Sequence, residues 1–242
     1  LSNGKYAIVG YGSRSENSGS ILLTVVGDDG QVAPGFAEPK YFGGDFENDV
    51  AFDAIEHNNE LFIVGRTYTC GDELGWMVKT TLNGIETSSN CEFTFNNVSE
   101  IRSIVKTENG FALLGRDRSG TERGVIIFTN ESGNVTTSPV VLSENGEDTE
   151  CYSMAVTENG LLAVTGSTKD DGLLVTYFKL FDPASSSFIS TKIYTGDNES
   201  PSFGKRIIAT KDGGFAITGR TITESSSNDI YIIKTDRLGN SN

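Results

Sequence analysis

Lys211-Asp-Gly-Gly-Phe-Ala-Ile-Thr-Gly-Arg220, followed after a loop by Asp229-Ile-Tyr-Ile-Ile-Lys-Thr-Asp236 and Leu238-Gly-Asn240, is one copy of a line that recurs along the chain. Earlier copies begin at Asn3-Gly-Lys-Tyr-Ala-Ile-Val-Gly10, Asn59-Glu-Leu-Phe-Ile-Val-Gly65, Asn109-Gly-Phe-Ala-Leu-Leu-Gly115 and Asn159-Gly-Leu-Leu-Ala-Val-Thr-Gly166. The closing glycines Gly10, Gly65, Gly115, Gly166 and Gly219 lie 55, 50, 51 and 53 residues apart. Short strands recurring at a period of about 50 residues imply radial repetition of one supersecondary unit. The expected fold is all-β: a β-propeller of five repeats.

Each period contains four strand-like runs. Strand A precedes an Asn-Gly or Asp-Gly turn, at Val50–Ile55, Ile101–Lys106, Tyr152–Val156 and Arg206–Ala209. Strand B runs from that turn to the repeated glycine. The turn is read as a two-residue hairpin with positive φ at both positions. Strand C covers Ile21–Val26, Trp76–Thr81, Val125–Thr129, Val175–Phe181 and Asp229–Thr235, and strand D covers Lys40–Phe42, Cys91–Phe95, Pro139–Leu142 and Thr191–Tyr194. Pro139 places strand D at an edge, because proline cannot donate to a central ladder. The first repeat lacks strand A and the last lacks strand D. The 242 residues are read as a single domain, residues 1–242, and as a possible fragment of a longer exported chain, because it opens on Leu1 inside a repeat.

A net charge of −14 and the scarcity of Lys and Arg argue against nucleic acid and against anionic lipid. No apolar run is long enough to span a membrane. Cys70, Cys91 and Cys151 are an odd count. Cys70 and Cys91 fall in one repeat and could meet, but the favoured reading is three small, half-buried thiols.

The fifth copy, with its Asp212-Gly-Gly-Phe-Ala-Ile-Thr-Gly-Arg-Thr221 and Asp229-Ile-Tyr-Ile-Ile-Lys-Thr-Asp236 segments, resembles the repeat of secreted bacterial β-propeller proteins, found mainly in surface lipoproteins and large exported multidomain proteins. The fourth copy departs from the pattern at Phe181-Asp-Pro183, and the second has Asn58-Asn59 in place of the first turn glycine. The resemblance implies an extracellular or cell-surface location and a scaffold or adhesive role. Its motif residues are turn and strand formers and carry no catalytic group.

Chemistry is sparse. The single histidine, His57, adjoins a turn and is read as solvated. No cysteine pair has zinc spacing, and Asp28-Asp29-Gly30 reads as a turn between strands C and D rather than a calcium loop. No cofactor and no metal are expected. Acids gather in the connections from strand D to strand A, among them Asp45, Glu147 and Asp197. Arginine follows the repeated glycine at Arg66, Arg116 and Arg220, and Tyr11 and Tyr68 are placed in the loops from strand B to strand C, where they could stack on a sugar ring. The plain reading of the arginines is structural ion pairing; the sharper reading is a ring of donors for an acidic or sugar ligand. These eight residues are the weak candidate ligand site, and no catalytic set emerges. Two function classes follow. One is a non-enzymatic extracellular scaffold, a monomer presenting a loop face to a protein or carbohydrate partner. The alternative is a carbohydrate-active enzyme of glycoside hydrolase type with carboxylates at the channel mouth.

Overall fold

A computed structural model describes residues 1–15, 18–44, 48–88, 91–117, 123–143, 149–196, 200–222 and 228–241. Among them there is no helix, and eighteen strands form five antiparallel sheets. The first sheet has the order β1 (Tyr6–Ser15), β2 (Ser18–Val26), β3 (Lys40–Phe42). The second runs β4 (Val50–His57), β5 (Glu60–Thr67), β6 (Leu74–Thr81), β7 (Phe93–Phe95). The third runs β8 (Val98–Thr107), β9 (Gly110–Asp117), β10 (Arg123–Asn130), β11 (Val140–Val141). The fourth runs β12 (Thr149–Val156), β13 (Leu162–Asp170), β14 (Leu173–Asp182), β15 (Ser187–Tyr194), and the fifth β16 (Ser202–Ala209), β17 (Phe215–Ile222), β18 (Asn228–Thr235). Each sheet is one sequence repeat with its strands paired in chain order. The first and last sheets have three strands, as the missing A and D segments predict.

The chain forms two compact units, one of Leu1–Ile104, Gly115–Ser119 and Ser132–Asn134, the other of Val105–Leu114, Gly120–Glu131 and Val135–Asn242. In the first unit Ile21, Leu23, Leu61, Ile63, Trp76 and Val78 form a buried cluster. In the second, one cluster gathers Leu114, Ile126, Leu162, Val164 and Tyr177, and another gathers Phe178, Ile207, Phe215 and Ile217. On β5 four consecutive residues, Leu61 to Val64, are buried, so both faces of the strand are covered. Continuous apolar runs of this kind mark strands sandwiched between other layers.

The repeated glycine has a structural cause that the sequence reading did not foresee. Strand A of the second, fourth and fifth sheets carries a bulge opposite strand B, between Ala51 and Asp53, between Cys151 and Ser153, and between Gly204 and Arg206. A bulge bends its strand and increases the local twist. Just before each bulge a carbonyl oxygen, that of Val50, Glu150 or Phe203, fills the place where a Cβ on Gly65, Gly166 or Gly219 would stand. At Gly115 a Cβ would meet Val98 Cγ1 at 2.7 Å and the Glu100 carbonyl at 3.1 Å. Gly10 belongs to the sheet without strand A, and nothing lies within 4 Å of its Cβ position.

The hairpin turns correct an expectation. Positive φ at two successive central residues occurs in the second repeat, at Asn58 (52°) and Asn59 (62°), the copy that lacks the glycine. In the fifth, only Gly213 is positive (83°), with Gly213 N donating to Thr210 O at 2.9 Å and Thr210 N to Gly214 O at 2.9 Å. Thr157–Leu161 repeats this pattern around Gly160. These are type I turns closed by a glycine bulge, a three-residue hairpin connection. The Asp-Gly pair therefore supplies one left-handed residue, and Asp212 instead caps the turn by accepting from Gly214 N at 3.2 Å. The same geometry closes Gly27–Gln31 between strands C and D, as expected for Asp28-Asp29-Gly30.

Cysteine pairing is the second correction: Cys70 and Cys91 form a disulfide, and Cys151 is a buried free thiol. The bond joins the connection after β5 to the segment before β7, bringing their Cα atoms to 5.8 Å, within the ordinary bridging range.

Candidate functional site

The residue after the repeated glycine pairs with strand A. Val50 faces Arg66, Glu150 faces Ser167, and Phe203 faces Arg220. The three arginines solve this position differently. Arg66 donates to Glu73 Oε1 at 3.1 Å and lies 5.8 Å from the Tyr68 ring. Arg116 stands 3.8 Å from Glu100 Oε1. Arg220 is exposed, donates to Asn228 Oδ1 at 3.2 Å and stacks 4.5 Å from the Phe203 ring. Ion pairing thus holds for Arg66 and Arg116, while a ring and an amide engage Arg220. Tyr11 lies not in a loop but within β1, paired with Ile21, because strand B of the first sheet runs on past the repeated glycine; it is exposed there, and Tyr68, in the connection after β5, donates its backbone N–H to Asp49.

Asp45, Glu147 and Asp197 lie outside the described residues. Four other carboxylates near the start of strand A are defined. Asp49 is fully buried and accepts from Gly44 N, Tyr68 N and Thr69 Oγ1 at 3.1, 2.9 and 2.8 Å. It ties the β3–β4 connection to the β5–β6 connection. Asp53 accepts from Ser103 Oγ at 3.0 Å and Ile104 N at 3.1 Å, clipping β4 to β8. Ser153 makes the corresponding clip to Ile207 N at 3.2 Å between β12 and β16. Glu100, 2% exposed, receives a two-pronged contact from Arg102, Nε at 2.8 Å and Nη2 at 3.0 Å. Such forked pairs are the stronger class of charge-assisted hydrogen bond.

Glu150 is held differently. Its Oε2 accepts from the Tyr152 hydroxyl and from Ser167 Oγ at 3.4 Å. Lys205 Nζ sits 3.3 Å above the Tyr152 ring. Tyr152 and Lys205 are the extra residues at their strands' bulges. In the first unit Phe52, also a bulge residue, carries the Arg102 guanidinium 4.2 Å from its ring. Phe52, Arg102, Tyr152 and Lys205 recur at the sequence period and were missed in the sequence reading. Aligning the repeats at spacings of 50, 50 and 53 residues through these positions would have exposed them as ring and cation partners. A carboxylate, a phenol, a hydroxyl and an ammonium within one cluster can accept and donate to a polyhydroxylated ligand.

His57 lies beside the Asn58-Asn59 turn, its Nε2 3.0 Å from Asn58 Nδ2. Among the described residues no group of three or more His, Cys, Asp or Glu side chains could hold a metal ion.

No family model and no curated protein matches this chain. Solved structures do. The endo-arabinase from Bacteroides thetaiotaomicron is 12% identical at a TM-score of 0.53, over 97% of this chain and 90% of that one. A glucose dehydrogenase is 10% identical at 0.52, over 96% and 78%. The GH43 endo-arabinanase from Bacillus licheniformis is 13% identical at 0.50, over 78% and 75%. The fold is a β-propeller. At these identities the likeness speaks to the fold alone, and the similar propellers include both arabinan-named hydrolases and a dehydrogenase.

Proposed function

We propose that this β-propeller is an exported carbohydrate-active protein of glycoside hydrolase type, with Glu150 as its working carboxylate. The observation that supports this most is the setting of Glu150. Asp49 is saturated by backbone and hydroxyl donors, Asp53 clips two strands, and Glu100 is locked in an arginine fork. Glu150 accepts from two hydroxyls beside a cation-capped ring, donors of the kind that a sugar hydroxyl can replace. Retaining and inverting hydrolysis both use a pair of carboxyls flanking the glycosidic bond, one to protonate the leaving oxygen and one to attack or to activate water, and Glu150 is assigned one of these two roles. Two endo-arabinases share the fold, so it accommodates that chemistry.

Export is supported by the Cys70–Cys91 disulfide, since such bonds persist in oxidising compartments. It agrees with the resemblance to secreted bacterial propeller repeats. Among the described residues no helix is long and apolar enough to cross a membrane.

The non-enzymatic scaffold remains a second reading, favoured by the structural engagement of Asp49, Asp53 and Glu100. Incubation with arabinan, xylan and pectin, followed by a reducing-end assay, separates the two. Release of reducing ends that disappears in Glu150→Gln is the expected result. Binding of a polysaccharide without cleavage identifies the scaffold, and cleavage that survives in Glu150→Gln removes Glu150 from the reaction.

A further inference from the structure

A cavity of about 170 Å³ opens within the second unit, on the face of the fourth sheet opposite Glu150. Its wall includes Tyr177 and Lys179 of β14, Thr149 of β12, Thr168 of β13 and Thr191 of β15. Tyr177 is 1% exposed, yet its hydroxyl has no hydrogen-bond partner. Buried polar groups are normally paired, so an orphan at a cavity wall needs an explanation. The fifth sheet supplies a comparison: Tyr231 faces Gly219 as Tyr177 faces Gly166, and its hydroxyl bonds to Thr176.

Lys179 is the second anomaly. It pairs with Val164 two residues before the repeated glycine, where the second sheet has Val78 and the fifth Ile233. A strand position that is apolar in two sister sheets here holds an ammonium group, 6% exposed, over the Phe188 ring at 5.0 Å. Lys169 and Asp170 also line the cavity, so that among the described residues its walls carry an excess of one positive charge. On a chain of net charge −14 the general field repels anions, so an anion is held only where cations and donors are built into a pocket. Burial raises the pKa of the Tyr177 phenol well above its usual range, so it stays protonated and acts as a donor.

We propose that this cavity binds a small hydroxylated carboxylate, a sugar acid. The Lys179 ammonium and the Tyr177 hydroxyl take the carboxylate, and Thr149, Thr168 and Thr191 take the ring hydroxyls. The volume suits one small residue rather than an oligosaccharide, since pockets for drug-sized ligands start at about 300 Å³. This extends the carbohydrate reading to a charged ligand, but it rests on residues outside the Glu150 cluster.

Calorimetric titration with sodium glucuronate, with glucose and sodium sulfate as comparisons at fixed ionic strength, tests it. Glucuronate is expected to bind at least about tenfold tighter than either, a difference of the size that one charge-assisted contact supplies. Lys179→Met should weaken it by about tenfold or more, and Tyr177→Phe severalfold, with unchanged circular dichroism. No glucuronate binding, equal binding of sulfate or glucose, or full affinity in Lys179→Met overturns the proposal. Should Lys179→Met fail to fold, Tyr177→Phe carries the test, and full affinity there overturns the proposal as well. The titration does not depend on polysaccharide cleavage, so its failure and that of the Glu150 reading are separable.

Discussion

The backbone carbonyl of Val50 occupies the space that a Cβ on Gly65 would need. The contact is with backbone at a bulge, so it cannot be relieved by a side-chain rotation. Gly65→Ala and Gly166→Ala are each expected to lower stability by about 3 kcal/mol, the scale of overpacking. Gly10→Ala has open space and should stay within about 0.5 kcal/mol of the parent. Urea denaturation midpoints check this, and equal losses at Gly10 and Gly65 would contradict the role assigned to strand A.

Glu100 is nearly inaccessible and depends on the Arg102 fork, with Arg116 at longer range. Arg102→Ala leaves a buried carboxylate with a weakened partner and strips the guanidinium from Phe52. The expected loss is about 2 kcal/mol, below the full cost of breaking a buried pair because Arg102 is partly exposed. Adding Glu100→Gln should restore part of it. A double-mutant cycle with no coupling would show that the fork contributes nothing to stability.

The Cys70–Cys91 bond spans 21 residues. Its removal in Cys70→Ser should cost about 3 kcal/mol, chiefly through the unfolded chain. The buried Cys151 should react with a thiol reagent only as the protein unfolds. Rapid labelling of native protein would place Cys151 at the surface.

Tyr194 donates to Gly239 O at 2.6 Å, and burial, together with the Asp236 charge, raises its pKa well above the usual tyrosine range. Burial raises that of Tyr231 too. A phenol whose pKa is higher folded than unfolded favours the native state at low pH. Its contribution is complete below the unfolded value of about 10 and is lost as pH climbs from there towards the folded value. Stability should therefore hold to about pH 10 and then fall, less steeply in Tyr194→Phe. Denaturation midpoints between pH 8 and about 11.5, with phenolate absorbance followed in parallel, measure this.

The period and the strand order were legible because hydrophobic alternation and turn glycines are local signals. Strand C of the last repeat was read as Asp229–Thr235 and observed as Asn228–Thr235, and Lys40–Phe42 was read as it stands. Turn type was less legible, because Asp-Gly serves both a two-residue turn and a glycine-bulge turn, and strand register decides between them. The bulges were invisible, since an extra residue in one strand has no composition of its own. Phe52, Tyr152 and Lys205 were missed for that reason. The arginines were found because they adjoin a visible landmark, yet Arg220 with its Phe203 ring shows that one sequence position accepts unlike partners.

Every sheet is assembled from strands that are consecutive in the chain, as β4 to β7 are within Val50–Phe95. Its hairpins therefore close short loops, and the entropy lost before the first favourable contacts form is small for an all-β protein. A chain emerging during synthesis can complete one sheet before the next is made. The clip from Ile104 to Asp53 then forms only when β8 arrives, some 50 residues later. On this arrangement the third and the fifth sheets are each met by a side chain already placed on the preceding one, Asp53 and Ser153.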